Sequence, residues 1–529
     1  MGGITEKDSA HGHLNSRQSS SPTSTIIQDQ ESIRQKKDEG HKEAYPPRPA
    51  DTVEEAKDDT AEGDEWETDP ENARNWPSKK KWLAVSAVSF YTFVSPLASS
   101  MMAPGLPELA MKYQITNSTV IALTLSIFLL SFAFSPLILA PLSEMYGRTW
   151  VLHIGNLFTI AFCLGCAFAP NTGTLLAFRF FAGISGAAPI ACGGGSVSDL
   201  FSEKERAGAM AAFSLGPLIG PVIGPIAGGY IAQEAGIRWV FIAIAIACGA
   251  ASVYGFPVLR ETYGPIIRKR RDKRRGDLET VPAAASDPKS TDGGKMDVMW
   301  EALARPIQML FTSMICFMLS LYSAVMNGIF YLMFTTFAGF FKKTYGFEAG
   351  VGGLTYLGMG VGFFLAAGVG AFVANATYLK LAAKNGGIAT PEMRIPALFF
   401  GSFFLPIGIF WYGWSADAKL HWIMPIIGSA IFAFGMMSTT LPIQLYLVDS
   451  FEFAASAVAA SSLFRSVLGF AFPLFGAQMF DAMGMGGGNS LLACLAIVLG
   501  IPFPAFLYYK GAAMRARNPL TSHMGRAKL

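Results

Sequence analysis

The chain has 529 residues, of which 51% are hydrophobic and only 15% charged, with 42 phenylalanines and a formal net charge of +3. A water-soluble domain carries about a quarter charged residues, so neither a soluble enzyme nor a nucleic-acid-binding module is expected. The charge is segregated, and between the charged stretches lie apolar runs of roughly 20 residues, each enough to cross a bilayer at about 1.5 Å per residue.

Residues 1–78 are polar, with the serine-rich run SRQSSSPTST followed by an acidic stretch, and cannot build a core. A solvated cytoplasmic tail is expected. No apolar stretch follows a basic start, so no cleavable signal peptide is expected and the first span serves as the targeting signal. Spans follow near 83–103, 119–140, 151–169, 174–196, 209–232 and 238–258. A second set lies near 309–337, 350–374, 395–414, 421–448, 457–480 and 488–509. The organisation is a six-span half (79–259), a basic cytoplasmic linker (260–306), a second half (307–510) and a short tail (511–529). In the linker, Arg268 to Arg275 hold seven basic residues in eight. An equal split of this kind implies two parallel six-helix halves, each built from inverted three-helix repeats. The expected fold is an all-α polytopic membrane protein with twelve transmembrane helices.

Lysine and arginine set the orientation. Lys79 to Lys81, Arg148, Lys204, Arg206, the Arg268–Arg275 cluster, Lys380, Arg394, Arg515 and Arg517 fall on one side, against Lys112, Arg238, Lys342, Lys343 and Lys419 on the other. Both termini are therefore expected in the cytoplasm. The six cysteines all fall inside spans, and the CxxC of Cys163 and Cys166 has no second ligand pair beside it. Packing is the expected role, with no metal and no cofactor. There is no nucleophile–base arrangement and no GxxxxGK[ST], so neither enzymatic activity nor direct use of ATP is expected.

The run SLGPLIGPVIGPIAGGYI, 214–231, places Gly216, Gly220, Gly224 and Gly228 at a spacing of four, with Pro217, Pro221 and Pro225 directly after the first three and Gly229 after the last. Glycine at this spacing lets a neighbouring backbone approach closely. Proline loosens the helix, and neighbouring groups must satisfy the carbonyls it frees. Simple tight packing accounts for the glycines but not for three prolines in register with them. A close-fitting yet bendable helix is expected to be a moving part, with bulk at Gly220 or Gly224 more harmful than at Gly216 or Gly228.

GPLIGPVIGPIAGG resembles the antiporter signature in the fifth span of the major facilitator superfamily. LAPLSEMYGRTWVL resembles the superfamily's loop after span 2, with Glu144, Gly147 and Arg148 in place and Ala140 where a glycine is usual. LLAFRFFAGISGAAP resembles its span 4 motif, and DLFSEKERAGAM and RETYGP its charged inner ends of spans 4 to 6. DPENARNWPSKKKW and YLVDSFEFAASAVAASSLFRS narrow the resemblance, over about 66–517, to the fungal twelve-span drug:proton antiporters. That resemblance implies alternating access by a monomer in the plasma membrane, exporting a drug or secondary metabolite in exchange for protons.

It also assigns roles. Glu144, Gly147, Arg148, Asp199, Glu203, Arg206 and Glu261 form an expected charge lock at the inner gate, pairing when the gate is shut and separating when it opens. Arg179, an intramembrane cation that costs several kcal/mol if unpaired, is expected to face the cavity and to tune coupling, the alternative being a side chain that snorkels to the interface. Tyr91, Asn327, Tyr331, Gln444 and Tyr446, from spans that line the superfamily's cavity, are candidate substrate contacts, although Leu445 stands where the family often has asparagine. Arg465 is a second cation able to meet an anion. No Asp or Glu lies deep in any span, so the proton-carrying group is not evident and a neutral amphipathic or anionic cargo is favoured. A carrier of organic acids with no proton requirement is the alternative.

Overall fold

A computed structural model describes Trp66, Thr68, and residues 69–202, 205–275, 292–387, 389–518 and 521. The tail before Trp66, Glu203 and Lys204, and linker residues 276–291 lie outside the described residues. Eleven helical segments are long and apolar enough to cross a membrane among the described residues. The first ten are α1 (Ser78–Ser100), α2 (Ser118–Tyr146), α3 (Arg148–Ala167), α4 (Thr172–Leu200), α5 (Arg206–Ala235), α6 (Ile237–Val258), α7 (Met314–Tyr345), α8 (Ala349–Lys384), α9 (Ile395–Asp417) and α10 (Ile423–Ser450). Of two further helices, Gly264–Arg275 lies in the linker and Asp292–Thr312 runs from the linker into the start of the second half.

The eleventh segment, Ala454–Arg517, is 64 residues long, about 96 Å if straight and far more than one bilayer crossing needs. It is two passes. Gly484 breaks the helix with φ 71° and ψ 171°, a backbone region essentially reserved for glycine. Before the break Gly476 packs on Leu332 of α7; after it Gly500 packs on Tyr322 of the same helix, and Thr521 pairs with Phe451 at the start of the ascent. The chain has turned back. We label the two passes α11 (454–483) and α12 (485–517), and the twelve spans are complete.

Helix ends follow their sequence. Asn117, Asn171 and Ser313 cap α2, α4 and α7 through side-chain oxygens that accept backbone N–H groups, which satisfies donors otherwise left open at a helix start. Of the cysteines, all free, five are buried and Cys494 is exposed, so the packing role expected for all six does not extend to Cys494.

Candidate transport cavity and charge cluster

The glycine stripe of α5 meets α1 backbone to backbone. A Cβ at Gly216 would lie 2.8 Å from the Ser89 carbonyl oxygen, one at Gly220 3.0 Å from that of Phe93, and those at Gly224 and Gly228 would overlap the Ser100 hydroxyl and the Met101 carbonyl. One turn of α5 therefore fits against one turn of α1 along its length. The close approach is therefore not confined to the two middle glycines. Gly228, near the helix end, is the most crowded, because its nearest neighbour is rigid backbone.

The prolines look another way. Each follows its glycine by one residue, about 100° around the helix, and Pro217 and Pro221 face a cavity of about 440 Å³ between the two halves. Farther along, the Pro225 carbonyl lies against Gly353 of α8, and Gly229 against the Ala349 carbonyl. One helix thus carries a fixed seam to its own half and a separate seam to the other half.

Around the cavity stand Ser95 and Ser99 of α1, Phe128 and Phe132 of α2, Phe213 of α5, Asn327 and Tyr331 of α7, Phe363 of α8, Thr440 and Gln444 of α10, and Arg465 and Ser466 of α11. Asn327, Tyr331, Gln444 and Arg465 are thus brought together, as candidates from the sequence. Tyr91 and Tyr446 are not. Tyr91 is buried between helices with its hydroxyl 2.9 Å from Nδ1 of His153, itself stacked on Phe256. Tyr446 is fully buried beside Gly511 of α12. Thr440, which sequence reading missed, belongs to the i, i+4 series Met436, Thr440, Gln444 along α10, the one sequence signal that marks that wall.

Arg179 departs from both of its expected settings. It neither lines the cavity nor reaches the interface: it is 1% exposed. Its Nη1 donates to the Ala98 carbonyl at 3.0 Å and its Nε to that of Thr124 at 3.2 Å, while Phe128 and Phe241 flank the guanidinium. Ala98 lies in the last turn of α1, where carbonyls lack helical partners. The arginine ties the end of α1 to α2 and α4.

Toward the ends carrying the termini and linker, a charge cluster joins α3, α4 and α6. Arg148 pairs with Asp199 at 2.6 Å. Glu261 accepts from the backbone N–H groups of Arg148 at 3.0 Å and Thr149 at 3.3 Å, a carboxylate at a helix N-terminus. Gly147 has φ +104°, and a Cβ there would overlap the Glu261 carboxylate, so glycine is required twice over. Burial pushes the Tyr263 phenol above its ordinary range, reinforced by the Glu144 charge. It stays neutral and presents its ring 5.1 Å from the Arg148 guanidinium. Glu144 is exposed and outside the cluster, and Arg206 donates to the Ser198 carbonyl rather than to an acid. An exposed carboxylate such as Glu144 gains little from pairing, because water screens the charge. The second half carries its own pairs, missed from sequence: Arg394–Asp449 at 3.0 Å and Arg515–Glu392 at 2.7 Å.

At the opposite side the halves touch along one edge, beside a cleft of about 530 Å³ lined by Ser118 and Ala122 of the first half and Thr335, Phe340 and Asp417 of the second. Lys342 of α7 pairs with Glu108 at 2.9 Å, and the Gly350 N–H donates to Gln233. The α5–α8 contact runs inward as far as Val222 and Gly360, beyond which Ser214, Pro217 and Leu218 face the cavity instead. The Arg148–Asp199 pair coexists with the Glu108–Lys342 and Gln233–Gly350 contacts, so it is not confined to a state in which those contacts are broken. Among the described residues no cluster could hold a metal ion.

A model of the Major Facilitator Superfamily matches residues 88–473. Similar proteins include one named MFS transporter cpaT from Aspergillus oryzae, 44% identical over 85% of this chain and 91% of its own length. Efflux pump vrtL from Penicillium aethiopicum is 42% identical over 86% of this chain and 90% of its own. Efflux pump radE from Floropilus chiversii is 39% identical, covering 85% and 83%. Among solved structures, a partially occluded inward open conformation of the xylose transporter XylE from E. coli has a TM-score of 0.61 at 12% identity, covering 82% of this chain and 98% of that one. An inward-facing bacterial homologue of the lysosomal transporter Spinster has 0.56 at 14%, covering 84% and 99%.

Proposed function

The chain belongs to the Major Facilitator Superfamily, a multi-pass membrane transporter of small molecules rather than an enzyme, and on that premise we propose that it exports an amphipathic compound, a drug or secondary metabolite, by alternating access. The observation that carries this reading is the cavity of about 440 Å³ between the halves, walled by phenylalanines and methionines with a few polar groups, with the halves joined to one side of it by the α5–α8 and Glu108–Lys342 contacts. A pocket of that size and character suits a compact, mostly apolar organic molecule. That similar proteins carry the name efflux pump supports the outward direction.

The lysine and arginine distribution supports a cytoplasmic linker and termini, which makes this an inward-facing state, and the plasma membrane is the location we assign. The protein acts as a monomer, since the cavity is complete within one chain. The α5 pattern supports exchange against protons. No carboxylate lines the cavity among the described residues, so the loading group is an end carboxylate or the cargo itself. The charge cluster around Arg148 acts on the inner gate by holding α3, α4 and α6 as one body. Full-length protein in proteoliposomes, with an internal pH dye and a labelled amphipathic compound, tests the reading. Compound movement that drives opposite proton movement supports antiport. Compound movement indifferent to an imposed pH gradient removes the proton coupling and leaves a facilitative organic-acid carrier, which the placement of Arg465 in the cavity wall favours. No movement of any compound across the panel removes the transport reading of this cavity.

A further inference from the structure

The arginines of this protein divide by what they hold. Arg148, Arg394 and Arg515 each face a carboxylate, Asp199, Asp449 and Glu392 respectively. Arg179 holds two backbone carbonyls and lies between two aromatic rings. Arg465 sits in the wall of the central cavity, whose lining holds no acid, and among the described residues its one hydrogen bond outside its own helix is made by its backbone carbonyl, not its guanidinium. Tyr331 lines the same cavity beside it. A guanidinium held inside a membrane protein without a counter-charge is costly, and the cost is relieved when an anion enters.

The surroundings fit that occupant. Asn327, a candidate for touching cargo, instead donates from Nδ2 to the backbone carbonyl of Arg465 at 2.9 Å. A Cβ at Gly469, one turn further along α11, would meet the same Nδ2 at 2.8 Å. Asn327 therefore locks α7 to α11 at the level of the arginine, and is a positioning residue. The guanidinium is left as a planar donor fork suited to a carboxylate or sulfonate. Phe128, Phe132, Phe363 and Met437 supply an apolar surface for the rest of the molecule, and Gln444 and Thr440 lie on the α10 wall.

We infer that the central cavity selects an amphipathic organic anion, with Arg465 as the group that binds its charge. The inference rests on the exporter reading for its physiological meaning, since it names the class of compound carried. It does not depend on proton coupling.

Two series of measurements test it. Full-length protein in nanodiscs of neutral lipid is titrated with three pyrene probes that share one apolar body: pyrenebutyrate, pyrenebutanol and a pyrenebutyl trimethylammonium salt, each corrected against empty nanodiscs. Binding of pyrenebutyrate is expected to be about tenfold or more tighter than that of pyrenebutanol, the size of one charge-assisted hydrogen-bonded pair, with the cation weakest. Arg465→Gln should bring the butyrate to the level of the butanol while leaving the butanol unchanged, and Arg465→Lys should restore part of the preference. Equal binding of butyrate and butanol by the unaltered protein overturns the inference, and needs no variant to fold. An undiminished preference in a monodisperse Arg465→Gln protein overturns it as well. Counterflow of the same probes in proteoliposomes separates the two readings. An anion preference in binding without any flux removes the exporter reading and keeps the anion site, whereas flux without charge preference does the reverse.

Discussion

Replacing Gly228 by alanine should do more damage than the same change anywhere else in the α5 stripe. The added Cβ overlaps the Met101 carbonyl oxygen and lies 2.7 Å from its carbonyl carbon and 2.8 Å from Met101 Cγ. Carbon atoms rest at about 3.5–4.0 Å, and with the carbonyl oxygen closer still, α5 and α1 must part by more than about 1 Å at this level. Backbone cannot rotate out of the way as a side chain can. Overpacking of this kind costs about 1–3 kcal/mol, and rigid contacts place Gly228 at the upper end. At Gly220 the nearest atoms are at 3.0 Å, a shift of a few tenths of an ångström and about 1 kcal/mol. At Gly224 the overlap is with the Ser100 hydroxyl, which can turn aside, and the nearest backbone atom is at 3.3 Å. Alanine also gains about 0.5–1 kcal/mol over glycine within a helix, so Gly224→Ala should be close to neutral. Thermal midpoints of the four alanine variants, read by fluorescence-detected gel filtration in one detergent, should fall in the order Gly228, Gly216, Gly220, Gly224, lowest first. Four equal midpoints, or Gly224→Ala the least stable, would show that the α1–α5 seam does not limit the fold.

Arg179→Ala should lose about 2–4 kcal/mol of stability, because two charge-assisted bonds to the Ala98 and Thr124 carbonyls go with it. A thermal midpoint equal to that of the unaltered protein would refute the bracing role. Gly147→Ala should cost about 1–3 kcal/mol from its positive φ alone, and should displace Glu261 and thereby the N-terminus of α3; unchanged transport together with an unchanged midpoint counts against the cluster. Glu108→Gln removes a half-exposed pair with Lys342, worth at most about 1 kcal/mol after solvent screening. Labelling of a cysteine introduced near Ser118 should therefore rise by at most about fivefold, and a larger rise would mean that this pair dominates the outer closure. Gly484→Ala, at a φ of 71°, should cost about 1–3 kcal/mol and lower the yield of folded protein; a neutral effect would show that the turn between α11 and α12 relaxes freely.

Twelve spans, two halves and the family were legible in the sequence, because an apolar run long enough to cross a bilayer is a one-dimensional property. So was the close approach of α5, since glycine at every fourth residue lies on one helical face whatever the helix meets. What each face meets was not legible. The sequence pattern that suggested a moving helix serves two partners, glycines toward α1 and prolines toward the cavity and α8, and only the packed bundle assigns them. Arg179 and Arg465 are both single cations within apolar helices, indistinguishable by composition. Tertiary packing gives the first two carbonyls and two rings, and leaves the second facing a cavity without a counter-charge among the described residues. Tyr91 and Tyr446, chosen by residue type and span, turned out to lie against neighbouring helices. A side chain's direction depends on the rotation of its helix about its own axis, and that rotation is fixed by contacts between residues far apart in the chain.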